Sequence, residues 1–182
     1  MNMNLAEVTP NTAVPVNPER AGKYLTFNLG GEEFGIGISL IREIIGLLPV
    51  TAIPGAPFFV LGVINLRGRV IPIVDLRRHF GLETVEPTVR TCIIVVEVEG
   101  GRHRRVGLVV DAVSEVLAIR GEEIEDAPAL GAGLDTGFMM GMAKVAGKVK
   151  ILLAIERILT PGEIDTLAAG APQSAFESSL LI

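Results

Sequence analysis

Tryptophan is absent from this 182-residue chain, tyrosine and cysteine occur once each, and histidine occurs twice. Each shortage excludes something. With aromatic residues at 4% there are too few stacking platforms for a surface that holds single-stranded nucleic acid. A formal net charge of -5, with basic residues only in short groups such as Arg102 to Arg105, leaves no footprint for a phosphate backbone. One cysteine closes no intramolecular disulfide. Cys92 lies in the apolar run Cys92-Ile93-Ile94-Val95-Val96 and reads as a buried strand residue rather than a reactive thiol. His79, just after an apolar run, and His103, in a polar turn, both read as surface residues, and no His or Cys pair has metal-ligand spacing.

Long apolar helices are missing too. Ile44 to Leu66 carries no charge, but Pro49, Pro54 and Pro57 with Gly46, Gly55 and Gly62 interrupt it. A membrane span needs about 20 helical apolar residues, so the stretch reads as strand, loop and strand. Met1 to Pro18 has no positive flank or compact apolar core and reads, with the residues up to 22, as a flexible tail rather than a secretory signal. Catalytic constellations are equally scarce. Gly141 to Gly147-Lys148 has the wrong spacing for a phosphate loop, with Val149 where Ser or Thr should bind magnesium, and no serine stands in a Gly-x-Ser-x-Gly elbow. No enzyme, cofactor or metal site is expected.

What is present is an internal duplication. Phe34 to Ile45 aligns without gaps on Val106 to Leu117, matching Gly35 with Gly107 and Glu43 with Glu115. At a second constant offset Phe59, Gly62, Gly68, Val70, Ile73, Leu76 and Arg78 match Phe138, Gly141, Gly147, Val149, Leu152, Ile155 and Arg157. The repeats cover about residues 23–85 and 90–160. Each reads as β. Leu25, Phe27 and Leu29 alternate, Gly30-Gly31 turns the chain, and Phe34, Ile36 and Ile38 resume; Ile94, Val96 and Val98, Gly100-Gly101, and Val106, Leu108 and Val110 repeat the pattern. A second hairpin turns at Arg67-Gly68 in one copy and at Ala146-Gly147 in the other. Short strands with Gly and Pro punctuation predict two small five-stranded barrels, SH3-like or OB-like. Pro72 predicts an edge or bulge, and Thr160 with Pro161 predicts a short C-terminal helix before a tail, over 162–182.

Where the copies differ on exposed ground, function has room. Asn65-Leu66-Arg67-Gly68 stands against Lys144-Val145-Ala146-Gly147, so folding does not require an arginine at that tip, and Arg67 is a candidate contact residue. Glu43 is acidic in both copies and, if it faces Arg67, would fix the arginine's direction. Ile41 and its counterpart Val113 stand beside strand ends. Ile44, Ile45, Leu47 and Leu48 crowd one stretch and are read mostly as core. Two barrels side by side create a mostly apolar groove suited to an amphipathic helix.

The string from Phe27 to Ile36, then Arg42-Glu43-Ile44, then Gly62 to Arg77 with its Asn-Leu-Arg-Gly block and Val-x-Pro-Ile-Val-Asp-Leu run, and finally Val106 to Leu117, resembles the CheW family of chemotaxis coupling proteins over about Lys23 to Pro161. The resemblance implies an all-β pair of five-stranded barrels, with strands exchanged between them so that one barrel takes the middle of the chain and the other both ends. It implies a non-enzymatic cytoplasmic adaptor, recruited to membrane-associated arrays, that binds chemoreceptor helical-hairpin tips and the regulatory domain of the histidine kinase CheA, with other copies of the adaptor as ring partners. It places receptor contacts at Ile41, Glu43, Arg67, Val113 and Val116, and kinase contacts at Leu130 and Gly62. Relatives with a receiver domain or a kinase's ATP-binding blocks are excluded by what the chain lacks. Alternatives are a CheW-like regulatory module of another two-component system and a non-catalytic nucleic-acid-binding small barrel.

Overall fold

The computed structural model describes residues 18–99, 104–128 and 136–159. Eleven strands run through them: β1 (Gly22–Leu29), β2 (Glu32–Gly37), β3 (Ile41–Gly46), β4 (Val60–Leu66), β5 (Arg69–Asp75), β6 (Cys92–Val98), β7 (Arg104–Val110), β8 (Ala112–Ile119), β9 (Ile124–Glu125), β10 (Met139–Val145) and β11 (Lys148–Leu153). One-turn helices follow the two second hairpins, α1 (Leu76–His79) and α2 (Ile155–Ile158). The helix expected from Thr160 onward, the Gly100-Gly101 turn, His103 and residues 1–17 of the expected tail lie outside the described residues; the end of that tail is not loose, since Pro18–Arg20 form a 3-10 turn, Arg20 pairs with Asp126 at 2.6 Å and β1 begins at Gly22.

One sheet has the order β8-β1-β2-β11-β10-β9 and the other β3-β6-β7-β5-β4. Each repeat is split between them. The first contributes β1 and β2 to the six-stranded sheet and β3, β4 and β5 to the five-stranded one; the second does the reverse. Parallel pairing joins the exchanged parts: Gly35 lies opposite Leu152 where β2 meets β11, and Gly107 opposite Ile73 where β7 meets β5. These are the same pair under the repeat alignment, so the two sheets are related by an internal two-fold exchange. The predicted five strands become six on one side because β9 pairs with β10 through two residues, whereas the five-stranded sheet has only the isolated Thr51–Val63 bridge at that position.

Each sheet has a small apolar cluster of its own on one face. Ile45, Ile64, Ile71, Ile73, Ile93, Val95 and Val109 meet inside the five-stranded sheet, including residues of both its edges, β3 and β4. Tyr24, Ile119, Ile124, Ala143 and Leu152 do so in the other. The opposite faces of the same strands make the large shared core. Leu25, Phe27, Leu29, Phe34 and Ile36 meet Ile94, Val96, Val98, Val106, Leu108 and Val110 there, closed off by Leu76, Ile155 and Ile158. This is why β6 is apolar on consecutive residues: alternate side chains enter two different cores.

Two expectations are corrected. Pro72 sits in β5, which lies between β7 and β4 rather than at an edge, and the bulge of this ladder falls on β4 between Val60 and Gly62, opposite Val74 and Ile73. It is tolerated because its partner Val63 directs its N–H and C=O to Thr51, at 2.9 Å each, and pairing with β7 begins only at Ile73, so no donor is needed from Pro72. His79 is half-buried rather than superficial. Its ring stands edge-on to Phe59 and Phe80, with centroids at 4.8 and 5.4 Å, and its Nε2 lies 3.2 Å from the Ile158 carbonyl oxygen, tying α1 to α2.

Candidate functional site

The tip after β4 is a tight turn in which Arg67 has φ 52° and Gly68 φ 81°; Ala146 and Gly147 repeat this at 51° and 75°. A non-glycine residue in the left-handed region is held there by the hairpin twist, and the Asn65 side-chain oxygen accepts the Gly68 N–H at 2.9 Å. The turn points the Arg67 side chain back across the barrel seam to β3. Its Nη1 donates to Glu43 Oε1 at 2.8 Å and its Nη2 to Oε2 at 2.9 Å, a two-pronged clasp between the two edge strands of the sheet. Glu43 is pulled below the usual carboxylate range by this hydrogen bonding, with burial opposing and the charges of Arg67 and Arg105 assisting. Arg67 is raised for the same reason, so both groups are ionised at physiological pH. Arg67 still leaves 74% of its side chain in solvent, against 22% for Glu43. The arginine is aimed and exposed together, with N–H groups left for a partner.

The predicted apolar contacts lie on equivalent edge strands of the two sheets, β3 beside the clasp and β8 in the other sheet. Ile41 on β3 and Val113 on β8 are half-buried and pack against the same shared core. Val116 on β8 is 50% exposed. Ile44, the counterpart of Val116 under the repeat, is 45% exposed, and Leu47 and Leu48 are 40% exposed each, so the reading of that stretch as mostly core is wrong for three of four residues. Only Ile45 enters a core. The reason is strand alternation on an edge, which turns Ile44 outward where Ile45 faces in, while Leu47 and Leu48 follow Gly46, where the chain leaves the sheet. The equivalence of Ile44 with the exposed Val116 was the signal that could have identified it.

Gly62 is buried at a φ of 142°, and a Cβ there would lie 2.0 Å from the Thr51 carbonyl oxygen. A backbone crossing therefore accounts for this glycine, and it offers no side chain to a kinase. Leu130 lies outside the described residues. Two cavities, of about 450 and 410 Å3, are lined by other residues, Leu47, Leu48, Val50, Leu61 and Val85 among them in the first and Lys23, Tyr24, Ile38, Leu40 and Met140 in the second. In the lining of the first cavity Arg77 grips Asp111 through two hydrogen bonds of 2.7 Å, and Asp111 also accepts the Gly30 N–H at 2.9 Å, linking α1, the end of β7 and the β1–β2 turn.

Among the described residues no group of three or more His, Cys, Asp or Glu is placed to hold a metal ion, and no helix is long and apolar enough to cross a membrane. A strand-exchanged double barrel whose distinctive exposed features are an aimed arginine and apolar edge residues is a protein-binding scaffold. The CheW-like domain model matches residues 23–162. The chain is 40% identical over 139 residues to a chemotaxis protein CheW of Rhizobium meliloti, spanning 76% of this chain and 88% of that one. It is 39% identical over 142 residues to a chemotaxis protein CheW of Klebsiella aerogenes, spanning 78% and 84%. The crystal structure of the scaffolding protein TtCheW from Thermoanaerobacter tengcongensis superposes with a TM-score of 0.70 at 34% identity, covering 79% of this chain and 90% of that one. The chain belongs to the CheW-like family of chemotaxis scaffold proteins.

Proposed function

We propose that this chain couples chemoreceptor signalling tips to the histidine kinase CheA, as a non-catalytic cytoplasmic adaptor in membrane-associated receptor arrays. The observation that carries the reading is the Arg67–Glu43 clasp: a fully charged arginine held in one direction by a two-pronged bond, yet 74% exposed, at the rim of an apolar edge. The pair fixes the arginine's direction across two strands and leaves it within reach of a partner. In this reading Ile41 and Ile44 on β3, with Val113 and Val116 on β8, supply the apolar area that an amphipathic helix requires beside the charge. The kinase contact, assigned by the resemblance to Leu130 and Gly62, is part of the same proposal and is read by a separate fragment below.

The test is a pull-down with receptor-tip helical hairpins and, separately, with the regulatory domain of CheA. Wild-type protein is expected to retain both. Arg67→Glu should lose the receptor fragment while keeping the kinase fragment and the wild-type melting temperature. A variant that loses its fold, or one that binds the tip normally, defeats the contact role of Arg67.

A further inference from the structure

Strand directions gather an unusual set of charges at one end of the five-stranded barrel. The β4–β5 turn lies there, so β5 begins there; β7 runs parallel to β5 and begins there as well; β6, antiparallel to β7, ends there, and β3 starts beside it. That end therefore carries Arg42, Arg67, Arg69, Arg104 and Arg105 against Glu43, Glu97 and Glu99, in a chain whose overall charge is -5. Glu43 is taken by Arg67, and Glu97 is taken by Arg42. Arg69, exposed in the turn, and Arg105, opposite Glu97 in the register, enter no ion pair among the described residues, and the Arg105 Nε is buried without a hydrogen-bond partner.

We infer that Arg69 and Arg105 extend the Arg67 clasp into a recognition surface for an acidic helix face, and that they set specificity for receptor tips carrying carboxylates about one helical turn apart. This rests on the adaptor reading above. Carboxylates of a helix repeat at i and i+4 about 5–6 Å apart, a spacing at which separate arginines can each take one. A continuous polyanion suits the surface poorly, because Glu43, Glu97 and Glu99 are interspersed among the arginines and would repel phosphates on an unbroken strand or membrane. Charges at the rim of an interface act mainly on association rate and salt dependence, so these two residues should be read by salt.

The experiment titrates full-length protein with an acidic receptor-tip hairpin fragment at about 50 and about 300 mM salt, which brackets strong and weak screening. Arg69→Gln combined with Arg105→Gln is expected to weaken binding about tenfold at low salt and to flatten the salt dependence. Arg69→Lys with Arg105→Lys should retain most of the affinity, and Arg90→Gln, at the opposite end of the barrel, should bind as wild type. Equal affinity and equal salt slope for the glutamine pair overturn the inference while leaving the adaptor reading in place. The same holds if the pair loses only binding to phosphatidylserine vesicles. Wild-type protein that binds no tip fragment overturns both.

Discussion

Gly107→Ala is the sharpest test of the strand-exchanged architecture. The added Cβ would stand 2.5 Å from Ile73 Cδ1 and 2.8 Å from Ile93 Cγ2, at the parallel crossing of β7 and β5 where one repeat enters the other's sheet. Both isoleucines are fully buried, and Ile93 is β-branched with a stiff χ1, so the neighbours can give only by disturbing a close-packed barrel. Overpacking of this kind costs about 1–3 kcal/mol, and for a chain of this size each kcal/mol lowers the melting temperature by about 2–4 °C. Gly35→Ala, its counterpart in the other sheet, meets a single side-chain tip, Leu152 Cδ2, at 2.8 Å with the next atom at 3.7 Å, and should cost less. Ile73→Val removes the Cδ1 atom that collides first. Alone it should cost about 0.5–1.5 kcal/mol, but in the Gly107→Ala background it should cost less or stabilise, a coupling of at least about 0.5 kcal/mol. Urea unfolding of the four proteins, with unchanged slope, measures this. Simple additivity, or Gly107→Ala melting as wild type, would refute the crossing.

Other consequences can be checked separately. Burial alone would raise the Asp111 carboxyl, but the Arg77 guanidinium and the Gly30 N–H outweigh it and hold the group below its ordinary range. Its stabilisation is then present above about pH 4 and is lost as pH falls through the lowered value. Asp111→Asn should be less stable than wild type at neutral pH, with the gap closing on acidification; a gap that stays constant down to acid pH contradicts this. Lys150, 4% exposed, pairs with Glu33. Glu33→Ala should cost about 3 kcal/mol by stranding the ammonium, more than Lys150→Met does, as thermal melts of both would show. Burial pushes the Cys92 thiol up, with a backbone hydrogen bond from Val113 only partly offsetting it. A thiol reagent should therefore label the native protein slowly at neutral pH and the urea-unfolded protein fast, and rapid native labelling would count against that burial.

Duplication made much of this legible in the chain alone. The hairpins at Gly30-Gly31 and Arg67-Gly68, and the comparison of Arg67 with Ala146, followed from glycines in register and from one copy having what the other lacks. Ile44, Leu47 and Leu48 were misread because apolar character does not say which side of an edge strand a residue occupies. His79 was misread because its neighbours Phe59 and Ile158 are distant in sequence.

Local pattern determined the strands, their turns and the repeat, because alternation and turn chemistry act over a few residues. Only the tertiary structure decided which strands share a sheet, since the exchange of β2 and β7 between repeats is a long-range pairing with no local signal. The same holds for the site. Glu43 and Arg67 become a clasp, and Arg69 and Arg105 become neighbours of it, because the barrel brings its two edges and the starts of two parallel strands to one end.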